Sequence, residues 1–174
     1  MKKHSKTKTY QPDNWTILFV CTGNSCRSPM AKGIFDKLIE KSAKIRKSEI
    51  NILTLSAGTN ATKGNLPSEY AQQAVKKYGV DIRHHISHPL TEERIALADL
   101  ILVMENKHKE RVLELAPLAK NRTFLITEYV GEDNQEIPDP FGQPLEKFQE
   151  VADLLYKLLQ KVYKIVINQI VLHK

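Results

Sequence analysis

Both cysteines of the chain fall in one short run, Cys21-Thr22-Gly23-Asn24-Ser25-Cys26-Arg27, followed by Ser28-Pro29. An apolar segment before the run, residues 15–21, reads as a buried strand. After it, Met30, Ile34 and Leu38 stand near helical spacing. A loop from a strand into a helix turns successive backbone N–H groups toward one centre, and the helix dipole adds positive potential. Such a loop cradles an anion. Gly23 lets the backbone come close, and the Arg27 fork matches two oxygens of a phosphoryl group, a geometry lysine lacks. Donors that hold a phosphate also stabilise a thiolate. Cys21 is therefore the expected nucleophile toward phosphorus, with Thr22 to Arg27 binding the transferred group and no metal required.

Thiolate attack expels a leaving group that needs a proton. The stretch "EIPDPFG" offers Asp139, braced by Pro138 and Pro140. Asp133 and Glu136 are alternatives, and Asp99, beside a strand, reads as structural. Ser28 is the expected N-cap of the following helix, with Pro29 at its first position.

The run "CTGNSCRSP" resembles the active-site signature of the low-molecular-weight protein tyrosine phosphatases. "LSAG", "PLTEERIALADLILVM" and "IPDPFG" look like the same family in order and spacing, over about residues 15 to 160. The resemblance implies a single three-layer α/β domain, a four-stranded parallel sheet flanked by helices on both faces. It implies a cysteinyl-phosphate intermediate, Asp139 as general acid and then base, no cofactor, and a phosphorylated protein as partner. It further implies that Ser28 hydrogen-bonds the Cys21 thiolate, that Asn24 shapes the loop with Ser56 as its candidate partner, and that Cys26 forms a reversible disulfide with Cys21. The competing reading of Cys26 is a small packing residue.

Substrate choice turns on Ser25 and Phe141. Tyrosine-specific members carry a branched apolar residue where Ser25 stands and an aromatic pair after the Asp-Pro. A small hydroxyl residue with "DPFG" resembles the bacterial protein arginine phosphatase branch, although threonine is usual there. Phe141 is expected to form one wall for either substrate. Thioredoxin-coupled arsenate reductases share the cradle, but they need two further cysteines, and this chain has only Cys21 and Cys26. A phosphopeptide-binding module without turnover is a rival class, opposed by the joint presence of Cys21, Arg27 and Asp139.

The positioning elements follow from pattern. Helices are expected over 29–43, 68–79 with Gly79 closing it, 92–97 opened by Thr91, and "KHKERVLELAP". Strands are expected over 50–58, 98–104 and near 123–126, then a Pro-rich loop over 130–144 and a long helix from Leu145 onward. This alternation argues for a parallel sheet, with the ligand at the carboxyl ends of its strands.

The 174 residues carry a net charge of +6, and four lysines against Asp13 concentrate half of it in residues 1–14. That stretch reads as a solvated basic leader, and residues 15–174 as the phosphatase domain. Nothing in it resembles a secretory h-region, and no apolar run reaches a membrane span, so the expected setting is cytoplasmic, without nucleic-acid or membrane partners. The three histidines of "HHISH" read as an exposed loop, and metal is not expected there. The apolar end, Ile165 to Leu172, is expected to pack on the domain or on a second copy, giving a monomer or homodimer.

Overall fold

The computed structural model describes residues 14–46 and 51–172. The basic leader lies outside these residues, except for its last position. Four strands, β1 (Asn14–Cys21), β2 (Asn51–Gly58), β3 (Leu100–Val103) and β4 (Thr123–Leu125), form one parallel sheet in the order β2-β1-β3-β4. Its helices are α1 (Arg27–Lys41), α2 (Ala43–Arg46), α3 (Glu69–Val75), α4 (Glu92–Ala96), α5 (Asn106–Leu115), α6 (Ile126–Tyr129) and α7 (Leu145–Leu172).

The central strand explains the layers. Ile17, Leu18, Phe19 and Val20 are all fully buried, because a strand covered on both faces has no solvent side. Ile17, Phe19 and Cys21 point into a core shared with α1, α3 and α7. Leu18 and Val20 point into a second core with Ile95, Val112 and Leu125. The result is the expected three-layer α/β domain.

α7 is longer than its role at the site requires. Leu155, Leu158, Leu159, Val162 and Val166 recur at helical spacing, and all are fully buried against the first core. The apolar end therefore packs on its own domain at least through Ile167, which is 2% exposed. Among the described residues, no helix is long and apolar enough to cross a membrane.

Three local expectations are corrected. α1 begins at Arg27, with Cys26 in the N-cap position and no side-chain cap. Ser28 is thus inside the first turn. Its hydroxyl is turned to the Cys21 sulfur, to Asn24 and to the Ala57 carbonyl, and caps no N–H of the helix. α1 also stops at Lys41, where Ser42 becomes extended. The expected opening at Thr91 and closing at Gly79 hold: Thr91 accepts from the Arg94 N–H, and Gly79 takes the left-handed φ of 72°. Ser68, expected inside its helix, is instead its N-cap and accepts from the Ala71 N–H.

Parallel pairing of β1 with β2 sets Cys21 beside Gly58. A Cβ at Gly58 would lie 2.4 Å from the Thr22 carbonyl oxygen and 2.8 Å from the Asn24 nitrogen. Only a glycine lets β2 end against the back of the loop. Gly58→Ala is expected to destabilise the fold by about 1–3 kcal/mol, seen as a lower melting temperature, and to cut turnover by displacing the loop. Unchanged melting and activity would show that the loop yields freely.

Candidate active site

The end of β1 and the loop after it carry Cys21 and the predicted phosphate-binding residues on one short stretch of backbone. Cys21, Thr22, Gly23, Ser25, Cys26, Arg27, Asp139 and Phe141 line one cavity of about 200 Å3, with Asn60 beside them. The sequence places Asp139 more than a hundred residues from Cys21. The fold brings it in because Ile137 N–H bonds the Met104 carbonyl at 2.8 Å, pinning the Asp-Pro loop to the end of β3.

The sulfur of Cys21 is buried and faces two donors. Asn24 N–H points at it from 3.3 Å, and the Ser28 hydroxyl lies 2.9 Å away. Asn24 Nδ2 donates to the Ser28 oxygen at 2.8 Å, so the Ser28 hydroxyl proton can turn to the sulfur or to the Ala57 carbonyl 3.5 Å away. Asn24 holds this position in a left-handed conformation, φ 52°, one that asparagine tolerates better than most residues. Its Oδ1 accepts from the His88 N–H at 2.8 Å and its carbonyl from His85 Nε2 at 3.1 Å. Because a carbonyl only accepts, His85 must carry its proton on Nε2.

Ser56 does not join this network. Its side chain makes no hydrogen bond to Asn24, whose amide is spent on Ser28 and His88. Ser56 lines a different cavity, behind the loop. Its expected partnership with Asn24 is thus not present.

Arg27 is only 1% exposed, so its charge must be matched from within. Nη1 donates to Glu105 Oε1 at 2.6 Å and to the Ile137 carbonyl at 2.9 Å, while Nη2 donates to Asp139 Oδ2 at 2.7 Å. Burial pushes the Glu105 carboxyl upward, but hydrogen bonds from Lys107 and Arg27 outweigh it and hold it below its usual range. Asp139 also accepts from the Phe141 N–H at 3.2 Å, a local turn that fixes its side chain. Phe141 is 73% exposed at the cavity mouth.

Sequence reasoning missed Glu105 and His108. Glu105 follows β3, the neighbour of β1, so its side chain reaches the loop across the sheet. His108 is fully buried one helical turn later. Its Nδ1 accepts from the Glu105 N–H at 3.1 Å, so Nε2 carries the proton and donates to Thr22 Oγ1 at 2.8 Å. No local signal marked either residue, because the sequence near them does not say which strand lies beside β1. Asp133 and Glu136 do not line the cavity, and Glu136 accepts from the Asn106 N–H at 2.7 Å. Asp99 accepts from the Thr16 N–H at 2.8 Å, a structural contact.

Both cysteines are free thiols. Cys26 sits 5% exposed, and burial pushes its thiol upward despite hydrogen bonds to Ser68 and Ser25. Among the described residues no group of three or more His, Cys, Asp or Glu side chains is arranged to hold a metal ion.

Burial, then the charge of Arg27, lowers the pKa of His108 to about 4. An unfolded histidine titrates near 6.5, so between those values the unfolded chain holds the extra proton. Stability should therefore fall as pH drops from about 6.5 to 4 and level off below, a loss of about 3 kcal/mol from this residue alone. Urea unfolding at pH 7.5 and pH 5 tests this: His108→Gln should show a smaller drop than the wild type. Equal drops would remove His108 from the loop's acid sensitivity.

The profile of the family described as "Low molecular weight phosphotyrosine protein phosphatase" matches residues 16–171. A protein-arginine-phosphatase of Geobacillus stearothermophilus is 34% identical over 148 residues, 85% of this chain and 93% of that protein. A probable low molecular weight protein-tyrosine-phosphatase, AmsI of Erwinia amylovora, is 33% identical over 146 residues, 84% of this chain and 93% of that protein. Among solved structures, the YwlE arginine phosphatase in a cysteine-to-serine form with a phosphorylated active-site serine superposes with a TM-score of 0.78, at 32% identity, covering 87% of this chain and 95% of that one. Matched along nearly its whole domain, and alike in fold to a phosphatase whose active-site serine is phosphorylated, the chain belongs to the low molecular weight phosphotyrosine protein phosphatase family.

Proposed function

We propose that this phosphatase acts on phosphorylated proteins through Cys21, with Asp139 as acid and base, and that it prefers phosphoarginine to phosphotyrosine. The observation that carries the chemistry is a sulfur facing the Asn24 N–H at 3.3 Å and the Ser28 hydroxyl at 2.9 Å, in a cavity closed by an Arg27-bound carboxylate. Both groups can hydrogen-bond the sulfur as it reacts.

In the first step the incoming phosphoryl dianion competes with Asp139 for Arg27 Nη2. The sulfur attacks phosphorus in line, an S–P bond forms, and the P–N or P–O bond to the substrate breaks. Asp139 in its acid form gives its proton to the departing guanidine nitrogen or phenol oxygen. In the second step Asp139 takes a proton from water, the water oxygen attacks phosphorus, and the S–P bond breaks. Thiolate and inorganic phosphate result. Arg27 and the loop N–H groups hold the equatorial oxygens throughout, while Glu105 keeps the guanidinium in place.

Preference for phosphoarginine rests on Ser25 at the cavity wall, with its hydroxyl 3.7 Å from Cys26 Sγ. A hydroxyl can serve a guanidinium or its water, where an apolar branch would pack a phenyl ring. Phosphotyrosine is the second reading, because Phe141 offers an exposed aromatic wall at the mouth. A catalytic free thiol needs a reducing compartment, hence the cytoplasm. We further take residues 15–174 as the working domain, a monomer or homodimer with no nucleic-acid or membrane partner, residues 1–14 as a leader, and Cys26 as a redox partner of Cys21.

Cys21→Ser should abolish hydrolysis of para-nitrophenyl phosphate while phosphate still binds. Asp139→Asn should lower kcat by about 100-fold or more, and more for phenyl phosphate than for the para-nitro compound, whose leaving group needs less help. Equal losses on both substrates would move the acid elsewhere. Ser25→Ile should shift the kcat/KM ratio of phosphotyrosine to phosphoarginine peptides toward tyrosine by about tenfold or more. An unchanged ratio would remove Ser25 as the selector.

A further inference from the structure

A cavity of about 530 Å3 lies behind the loop, between α1, β2 and the segment around residues 81–88. Its volume is in the range of small-molecule sites. Pro29, Leu55, Ile82 and Ile86 supply apolar wall, and Ile86 is 47% exposed at its rim. It shares no lining residue with the cavity of Cys21.

Most of its charges cancel internally. Lys32 Nζ lies 2.6 Å from Asp36 Oδ2, and the Thr54 hydroxyl also donates to Asp36. Asp81 is held by Arg83 at 2.7 Å. Arg94 differs. It is half-buried, and among the described residues its guanidinium has neither an ion-pair nor a hydrogen-bond partner. Glu93 and Glu92 stand one and two positions before it, where helical side chains diverge. The ring of His88 is likewise without a hydrogen-bond partner among the described residues, whereas His85 is committed to Asn24. Burial, then the charges of Arg94 and Lys63, hold the His88 pKa below its ordinary value, so both cations act on this corner.

We infer that this cavity is a second binding site, for a small aryl carboxylate held by the Arg94 fork and His88, with its ring against Leu55, Ile82 and Ile86. One unmatched guanidinium calls for one negative charge, and the planar fork matches a carboxylate through two parallel hydrogen bonds. Pro29, Leu55, Ile82 and Ile86 stand in a lining that is otherwise polar and charged, and that mix suits an amphipathic ligand rather than a free inorganic ion. The site adjoins the catalytic loop from behind, because the His88 N–H donates to Asn24 Oδ1 and Asn24 donates to the Cys21 sulfur.

Indole-3-acetate is the probe. It is titrated into the full chain, methyl-labelled for NMR, with inorganic phosphate saturating the Cys21 loop. Saturable shifts are expected in the methyl groups of Leu55, Ile82 and Ile86. Arg94→Gln should weaken binding at least tenfold, and indole-3-acetamide, the uncharged isostere, should bind at least tenfold more weakly to the wild type. The amide comparison needs no variant to fold. Shifts confined to residues 21–27, equal binding of acid and amide, undiminished binding by a folded Arg94→Gln, or no saturable shift at about 10 mM probe would each overturn the site.

Discussion

A guanidinium at 1% exposure is the constraint on which the site depends. An unpaired charge at that depth would cost several kcal/mol. Arg27 is therefore tied to three places at once: its own loop after β1, Glu105 after β3, and the Ile137–Asp139 stretch before α7. Those ties close the cavity. The sheet order makes them reachable, since β3 pairs with β1 and ends at the same edge. The cavity around Cys21 thus rests on matching one buried cation rather than on any property of the cysteine alone.

Asn24 is the second pivot. Its left-handed turn, φ 52°, aims its N–H at the sulfur and its amide at Ser28, while its Oδ1 and carbonyl take donors from the 85–88 segment. Gly58 permits this, because any side chain there would strike the backbone of the loop. The loop is held from the front by Arg27, from the side by His108 through Thr22, and from behind by His85 and His88. A preorganised set of donors loses little on reaction, which is what an anion-stabilising site needs.

What the sequence revealed follows the range of each interaction. The strand-loop-helix around Cys21, the cap at Thr91 and the closing Gly79 are local, and local chemistry decided them. The Asp139 loop was legible because two prolines and an acid stand out in any chain. Ser28 misled because a serine before proline is a strong capping signal, and only its neighbour in space, the Cys21 sulfur, overrides that signal. Glu105 and His108 were invisible because their contacts with the loop span 78 and 86 residues. Nothing near them in sequence marks which strand lies beside β1. Ser56 fell the other way: its place on β2 was right, but the amide it was to meet is used by nearer groups.

Two acids share one guanidinium, and their settings assign them different work. The Glu105 side chain is 15% exposed and anchored also by Lys107, whose Nζ lies 2.8 Å from Oε2. Removing it would strand a buried cation, so it stays. The Asp139 side chain is 42% exposed and sits on a proline-braced loop, where an ion pair is worth about 1 kcal/mol or less. A phosphoryl dianion brings more charge to Nη2 than Asp139 does, and a half-solvated carboxylate can leave at little cost. The displaced group remains within reach of the leaving atom because the Phe141 N–H still holds its Oδ1. In the proposed mechanism the weaker of the two pairs is thus the one that substrate exchanges, and the stronger one keeps the fork aligned while it does so.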